Sequence, residues 1–160
     1  MDETRKPHIP GHLRRLQQVW VEPTVYLITV CATQRQPLLA TDAMAREVVD
    51  ALRDAAQRTG WRVGRYVIMP DHIHLFCAPT AGAARLCDFV RRWKSWTTRR
   101  AWAMGHSGRL WQPEFFDHLL RSNESYSEKW DYVVQNPVRA GLCEQPEQWP
   151  YQGEIESLGM

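Results

Sequence analysis

The chain has 160 residues, of which 44% are hydrophobic and 24% are charged, and its net charge is +2 at pH 7. This composition is typical of a globular protein and excludes a chain with too few apolar residues to form a core. No apolar run is long enough to cross a bilayer, and the N-terminus lacks the apolar core of a secretory signal, so we expect a cytoplasmic protein with no membrane partner. The length predicts one domain over residues 1–160.

The predicted elements follow from hydrophobic periodicity and from turn residues. In chain order they are a basic arm (1–20), a strand (24–33), a helix (41–58), two strands joined by a tight turn (61–69 and 72–78), a second helix (84–102), two short extended pieces (110–111 and 117–120), a third helix (122–135) and a polar tail (145–160). The order β-α-β-β-α-β, followed by one helix, predicts an α+β fold, the ferredoxin-like sandwich with an additional C-terminal helix.

Four cysteines lie far apart in the sequence, without a Cys-x-x-Cys pair: Cys31, Cys77, Cys87 and Cys143. This spacing favours reduced, mostly buried thiols over a disulfide framework or a zinc site. The cysteines therefore predict no covalent or metal framework.

Two histidines, His72 and His74, lie two positions apart in the predicted strand 72–78. Side chains alternate between the faces of a strand, so both imidazoles point to one side, about 7 Å apart at their Cα atoms. Two imidazoles at that distance can bind one divalent ion, while Ile73 and Leu75 face the core. Two histidines on a solvent-exposed face would give the same pattern, so the motif alone does not decide.

Tyr132 and Asn136 lie four positions apart at the end of the predicted third helix. Residues at this spacing share a helix face, so the phenol and the amide can converge on one point. An amide oxygen beside two imidazoles suits Mg²⁺ or Mn²⁺ better than a closed zinc site does. Because Asn136 precedes Pro137, we expect the helix to break or kink there. A tyrosine packed between helices and an asparagine that ends a helix would explain the same residues.

The predicted second helix is strongly basic, and Trp93 and Trp96 are interleaved with its charges. Cations beside aromatic side chains suit single-stranded nucleic acid. A solvated basic face with tryptophans in the core fits equally well, and Trp93 is expected in the core. The helix residues that we expect to contact DNA are Arg91, Arg92, Lys94, Arg99 and Arg100.

Three stretches carry a resemblance to a known family: residues 66–75 (YVIMPDHIHL), 110–121 (LWQPEFFDHLLR) and 130–142 (WDYVVQNPVRAGL). Together they resemble the single-tyrosine HUH transposases, in which HUH denotes His, an apolar residue and His. They are most similar to the REP-associated tyrosine transposase branch, and the resemblance spans nearly the whole chain.

The resemblance implies a role for each matching residue. His72 and His74 match the metal-binding pair, Tyr132 matches the nucleophile, and Asn136 lies where relatives place a Gln or Asn ligand. Gln135 is the adjacent rival for that position, and His118 is a candidate for a supporting contact around the metal. No role follows for the neighbouring Asp117 and Arg121, which match the same recurrent stretch as His118.

The implied activity is cleavage and rejoining of single-stranded DNA near hairpin repeats through a 5′-phosphotyrosine intermediate, with a divalent ion, Mg²⁺ or Mn²⁺. The basic arm would then contact DNA beside the hairpin through Arg5, Lys6, Arg14 and Arg15. A domesticated hairpin- or single-strand-binding protein without catalysis, and a metal-dependent hydrolase in which water attacks, are the alternatives. A monomer is favoured over a homodimer for this branch.

Overall fold

The computed structural model describes residues 24–120 and 123–159, with the backbone alone at 123–125. Its strands are β1 (Val25–Cys31), β2 (Trp61–Ile68), β3 (His72–Pro79), β4 (Phe116–Leu120) and β5 (Gln152–Glu154). Its helices are α1 (Asp42–Thr59), α2 (Leu86–Ala103), α3 (Asn123–Val134) and α4 (Asn136–Arg139), with 3₁₀ turns at Thr33–Arg35 and Pro146–Gln148. The strands form one antiparallel sheet in the order β4-β1-β3-β2-β5. The predicted ferredoxin-like α+β fold is confirmed.

Helix α1 shows why the predicted boundaries hold. The Thr41 hydroxyl accepts a hydrogen bond from Met44 N at 3.2 Å, which caps the first turn. Gly60 follows the last turn with φ at 76°, the left-handed conformation that glycine adopts without a steric cost. The expected helix over residues 41–58 therefore differs from the observed one by a single residue at each end.

Helices α1 and α2 pack on one face of the sheet and form the larger part of the core. Ile73 and Leu75 of β3 are fully buried in this layer. Trp93 of α2 is also fully buried, and its indole Nε1 donates to Val48 O of α1 at 3.1 Å. The predicted core position of Trp93 is confirmed.

Helix α3 packs on the opposite face, to which His72, His74 and Phe76 of β3 point. Its buried residues include Tyr126, whose ring lies 4.7 Å from that of Phe76 between centroids. The approach depends on Gly64, which lies at an irregularity in the pairing of β2 with β3. A Cβ at Gly64 would lie 2.8 Å from Leu158 Cδ1 and 2.9 Å from the Tyr126 hydroxyl. Only a residue without a side chain allows this packing.

One prediction for the C-terminal part of the chain needs correction. No strand was predicted in residues 145–160, yet β5 pairs there with β2, and Arg65 forms an ion pair with Glu154 at 3.6 Å. The break expected before Pro137 is present: α3 ends at Val134, and Asn136 begins α4. Pro137 lies in the first turn of α4, where a missing backbone N–H breaks no helical hydrogen bond.

All four cysteines are free, and Cys31 and Cys77 are buried. The expectation of mostly buried thiols holds for these two only, because Cys87 is exposed and Cys143 is half-buried. Among the residues that the structure describes, no helix is both long and apolar enough to span a bilayer.

Candidate functional site

Strand β3 places His72 and His74 side by side on the face of the sheet that α3 partly covers. The strand is paired with β1, where Cys31 lies opposite His72 and Thr29 lies opposite His74. The two imidazole centroids are 4.8 Å apart, and the rings are nearly perpendicular, at 82°. The expectation from strand alternation, that both rings point to one side, is confirmed.

The His72 imidazole is oriented by the preceding residue. Its Nδ1 lies 2.7 Å from Asp71 Oδ1, and an ionised carboxylate can only accept, so Nδ1 carries the proton. In a neutral imidazole this leaves a lone pair on Nε2. Burial raises the pKa of Asp71, but hydrogen bonds with His72 and Arg35 and their positive charge outweigh it, and the pKa is lowered overall. Asp71 therefore stays ionised and fixes the tautomer of His72.

The His74 imidazole is held in the same way by Thr29. Its Nδ1 lies 2.7 Å from Thr29 Oγ1, and a proton donated by Nδ1 to this oxygen leaves Nε2 free as well. Burial, followed by the positive charges of His72, Arg139 and Arg35, lowers the pKa of His74 to about 4. The ring is therefore neutral at physiological pH, the form in which imidazole binds metal ions.

A strained loop after β1 supports this arrangement. Gln34 and Arg35 both have positive φ, 51° and 54°, which is uncommon for residues other than glycine. Arg35 donates from Nε to Asp71 Oδ2 at 2.9 Å and from Nη1 to Cys31 Sγ at 2.9 Å. Such backbone conformations persist where surrounding contacts hold them, and they are enriched at functional sites. The Arg35–Asp71–His72 chain of hydrogen bonds thus links the loop to the imidazole pair.

Tyr132 and Asn136 are brought together by Arg139. The guanidinium of Arg139 lies 4.1 Å from the centroid of the Tyr132 ring, and its Nη2 donates to Tyr132 O at 2.8 Å. The same nitrogen donates to Asn136 Oδ1. Tyr132 keeps 66% of its surface exposed. Arg139 thus contacts both residues of the predicted pair, and the Tyr132 ring is accessible to a large substrate.

The positive charge of Arg139 contributes to the lowered pKa of His74. Gln135, the rival of Asn136, lines a separate cleft together with Trp130, Pro146 and Glu147. Asn136 is the candidate that contacts Arg139 beside the Tyr132 ring.

The residues present fit a divalent ion at the imidazole pair. Both Nδ1 atoms are hydrogen-bonded to the protein, an arrangement in which partners orient histidine ligands and leave Nε2 for the metal. Asn136 Oδ1 accepts from Arg139, and an amide oxygen keeps a second lone pair. Within residues 24–120 and 123–159, no group of three or more His, Cys, Asp and Glu side chains is arranged as a metal site. Water and phosphate oxygens would therefore complete the coordination.

The supporting contacts of the imidazoles come from Asp71, Thr29 and Arg35, and sequence reasoning missed all three roles. His118 was the sequence candidate for such a contact, and it lies on the edge strand β4 opposite Leu27, exposed to solvent. Asp117 points to the other face of the sheet, and Arg121 lies outside the described residues. The acidic residue directly before His72 was the one available signal, since carboxylates often hold metal-bound histidines.

A basic groove of about 700 Å³ lies between α2 and residues 109–115. Three of the five helix residues expected to contact DNA line it, together with Arg109, Trp102 and Phe115: Arg91, Lys94 and Arg99. The other two, Arg92 and Arg100, lie against the Trp96 ring, and Arg100 forms an ion pair with Glu47 at 3.1 Å. The arm residues Arg5, Lys6, Arg14 and Arg15 lie outside the described residues.

Comparison with known proteins settles the family. The model of the family described as "Transposase IS200 like" matches residues 21–134, well over half of the chain. The chain belongs to the IS200-like transposase family. The family expected from the motifs is thereby confirmed, and the matched region includes His72, His74 and Tyr132.

Individual relatives support the same family. The transposase is 25% identical over 138 residues to the REP-associated tyrosine transposase of Escherichia coli K12, covering 84% of this chain and 79% of the relative. It is 31% identical over 97 residues to the ISDra2 transposase TnpA of Deinococcus radiodurans, covering 56% of this chain and 68% of the relative. Its fold matches the solved structure of a REP-associated tyrosine transposase bound to a REP hairpin, with a TM-score of 0.68 and 24% identity, over 95% of this chain and 82% of that one.

Proposed function

We propose that this transposase cleaves and rejoins single-stranded DNA beside hairpin repeats, with Tyr132 as the nucleophile and a divalent ion, Mg²⁺ or Mn²⁺, held by His72 and His74. Membership of the IS200-like family and the names of the relatives support the reaction class. The hairpin carried by the REP-associated structural neighbour supports the choice of substrate.

One observation carries the assignment of the site. Both imidazoles of the pair make a hydrogen bond through Nδ1, one with Asp71 and one with Thr29, and the two ring centroids are 4.8 Å apart. A chance pair of surface histidines has no need of two buried or half-buried partners and a depressed pKa. The contacts favour a built ligand pair over two solvent-exposed histidines.

The reaction requires one bond to form while another breaks. The Tyr132 oxygen attacks the phosphorus, the P–O3′ bond breaks, the phenol loses its proton, and the leaving O3′ gains one. The product is a 5′-phosphotyrosine and a free 3′-hydroxyl, so a second 3′-hydroxyl can reverse the step without a nucleotide cofactor. The exposure of the Tyr132 ring allows a DNA strand to reach the phenol.

When bound, a divalent ion would neutralise a non-bridging phosphate oxygen and orient the scissile bond. His72 and His74 would hold it through Nε2, with Asn136 as the further ligand. Asp71 keeps His72 in the required tautomer, Thr29 orients the His74 ring, and Arg35 keeps Asp71 in place.

The basic groove is the path that we propose for a DNA strand on this protein. Arg91, Arg99 and Arg109 supply cations along it, and Trp102, which is 52% exposed, supplies an aromatic face for a base. Lys94 already donates to Gln112 O at 2.6 Å and Pro113 O at 3.1 Å, so it shapes the wall of the groove. The N-terminal arm would add phosphate or base contacts, and deleting residues 1–16 should weaken hairpin binding.

The test is a covalent-adduct assay with labelled single-stranded oligonucleotides that cover inverted repeats around the gene, in Mg²⁺ or Mn²⁺. On a denaturing gel, the wild type should give a metal-dependent protein–DNA band, and Tyr132→Phe and His72→Ala/His74→Ala should not. The same gel resolves the free cleavage products.

Each outcome supports a different function for this protein. Cleavage that persists in Tyr132→Phe would replace the transferase with a hydrolase that uses water. Binding without any cleavage, on oligonucleotides that tile every repeat, would identify a domesticated binding protein. Light scattering of the protein with and without hairpin DNA tests the expected monomer in the same preparations.

A further inference from the structure

We propose that Arg139 is a further catalytic residue, which binds a non-bridging oxygen of the phosphodiester that Tyr132 attacks. The proposal rests on the proposed function, and it assigns to Arg139 a role that the Tyr132–Asn136 spacing does not contain. It would place a fixed positive charge beside the reacting phosphate in addition to any metal ion.

The position of Arg139 depends on the break between α3 and α4. Arg139 lies seven positions after Tyr132, and in one continuous helix this spacing would separate them by about 10.5 Å along the axis. Because the helix is interrupted at Gln135, the Arg139 side chain folds back over the Tyr132 ring. The chain thus brings a guanidinium to the one exposed tyrosine of α3.

The charge of Arg139 is not balanced by a carboxylate. Among the described residues, its hydrogen-bond acceptors are two neutral oxygens, Tyr132 O and Asn136 Oδ1, and it forms no ion pair. A cation in this situation attracts an anion, and the proposed reaction brings a phosphate to this place.

The donors of Arg139 suit a phosphate. A guanidinium has five N–H groups in a planar fork, which can bind two oxygens of a phosphate at once. Nη2 makes both contacts to Tyr132 and Asn136, and no described residue accepts from Nε or Nη1. Nη2 can therefore hold the Tyr132 carbonyl and the Asn136 amide while the remaining donors bind the substrate.

A purely structural role is the alternative, because Tyr132 O lies in the last turn of α3 and basic side chains often bind such carbonyls. Arg139→Gln and Arg139→Lys separate the two roles. Glutamine keeps a donor for the carbonyl without the charge, whereas lysine keeps the charge without the fork. Arg53→Gln is the matched control, since Arg53 is an exposed arginine on α1, on the other face of the sheet.

Adduct formation is measured under single-turnover conditions with the hairpin oligonucleotides. Arg139→Gln should slow it by roughly 100- to 1,000-fold, the usual loss for one donor to a reacting oxyanion. Arg139→Lys should slow it by less, and Arg53→Gln should leave it unchanged. Equal losses in the Gln and Lys variants, matched by an equal fall in melting temperature, would reduce Arg139 to a helix cap.

Binding without divalent ions gives a second readout, independent of the chemistry. The slope of log K against log salt concentration should decrease in magnitude by about 0.7 in Arg139→Gln, the value for one phosphate contact to a single strand, and stay unchanged in Arg139→Lys. An unchanged slope in Arg139→Gln would overturn the proposal. If the wild type forms no adduct at all, the proposed function fails, and the slope still decides whether Arg139 contacts phosphate.

Discussion

The two faces of the sheet differ in how completely their side chains are buried. On the face covered by α1 and α2, side chains such as Trp93 and Leu75 are fully buried and the packing is almost entirely apolar. On the other face, α3 covers only part of the sheet, and His72 and His74 lie beside the smaller cluster around Phe76.

The two faces therefore contribute differently to the stability of the protein and to its chemistry. Burial of large apolar side chains supplies most of the free energy of folding, and the α1–α2 face holds most of that burial. The α3 face instead depends on hydrogen bonds that orient single groups, such as those of Asp71 and Thr29 to the imidazoles. Substitutions of buried residues on the first face should therefore unfold the protein, and those of the oriented groups on the second should change its function first.

The largest effect on stability is expected for Trp93→Ala on the α1–α2 face. Removing a fully buried indole should lower the free energy of unfolding by about 3–5 kcal/mol. Urea denaturation measures the loss. Phe116→Ala on β4 is the control, because this ring is 67% exposed and its loss should change the same free energy by no more than about 0.5 kcal/mol. Similar losses in both variants would contradict the comparison.

Gly64→Ala tests the place where the α3 face is packed most tightly. The new methyl group would meet Leu158 and the Tyr126 hydroxyl at distances below 3.0 Å, so Leu158 and Tyr126 must move. We expect a loss of about 1–3 kcal/mol in the free energy of unfolding, as for other overpacked sites. Because α3 carries Tyr132, adduct formation should also slow, and a variant with normal stability and normal adduct yield would disprove the role of Gly64.

Asp71→Asn should separate function from stability. The substitution removes the charge that orients His72 and the ion pair with Arg35, so Mn²⁺ affinity measured by calorimetry should fall by roughly 10-fold or more. The free energy of unfolding should change little, because both partners of the Arg35 ion pair are partly exposed and such pairs contribute little to stability. Asp50→Asn on α1 removes one exposed carboxylate elsewhere and should leave the affinity unchanged. An equal loss of affinity in both variants would exclude a specific role for Asp71.

A pH dependence of stability is expected from His74. The pKa of His74 in the folded protein is about 4, below the ordinary value of 6.5, so between these pH values the unfolded chain binds the additional proton. The free energy of unfolding should consequently fall as the pH decreases from about 6.5 to about 4. Histidine chemical shifts of the metal-free protein report the titration directly. A midpoint near 6.5 for His74 would mean that the ring is neither buried nor close to the neighbouring cations.

Elements with a strong local pattern could be predicted from the sequence. The β-branched run of β1, the amphipathic α1 with its Thr41 cap and the hairpin at Pro70 depend on neighbouring residues alone. Strand alternation likewise predicted that His72 and His74 share a face. In each case, the determining interactions lie within a few residues of one another.

Features that depend on distant contacts were missed. Strand β5 is a polar segment of three residues, and only its pairing with β2 makes it a strand. The ion pair of Arg100 with Glu47 joins two helices, so the sequence of α2 alone gave no sign of it. The contact of Arg139 with Tyr132 exists because the helix is interrupted between them, and the spacing of the two residues gave no sign of it.

The measurement that tests the central proposal most directly is identification of the residue joined to DNA. The adduct would be digested with nuclease and trypsin, and the modified peptide sequenced by mass spectrometry. The account predicts a nucleotide on the tryptic peptide of residues 130–139, in which Tyr132 is the only tyrosine. A nucleotide on any other peptide, or an adduct that still forms in Tyr132→Phe, would contradict the assignment of Tyr132 as the nucleophile.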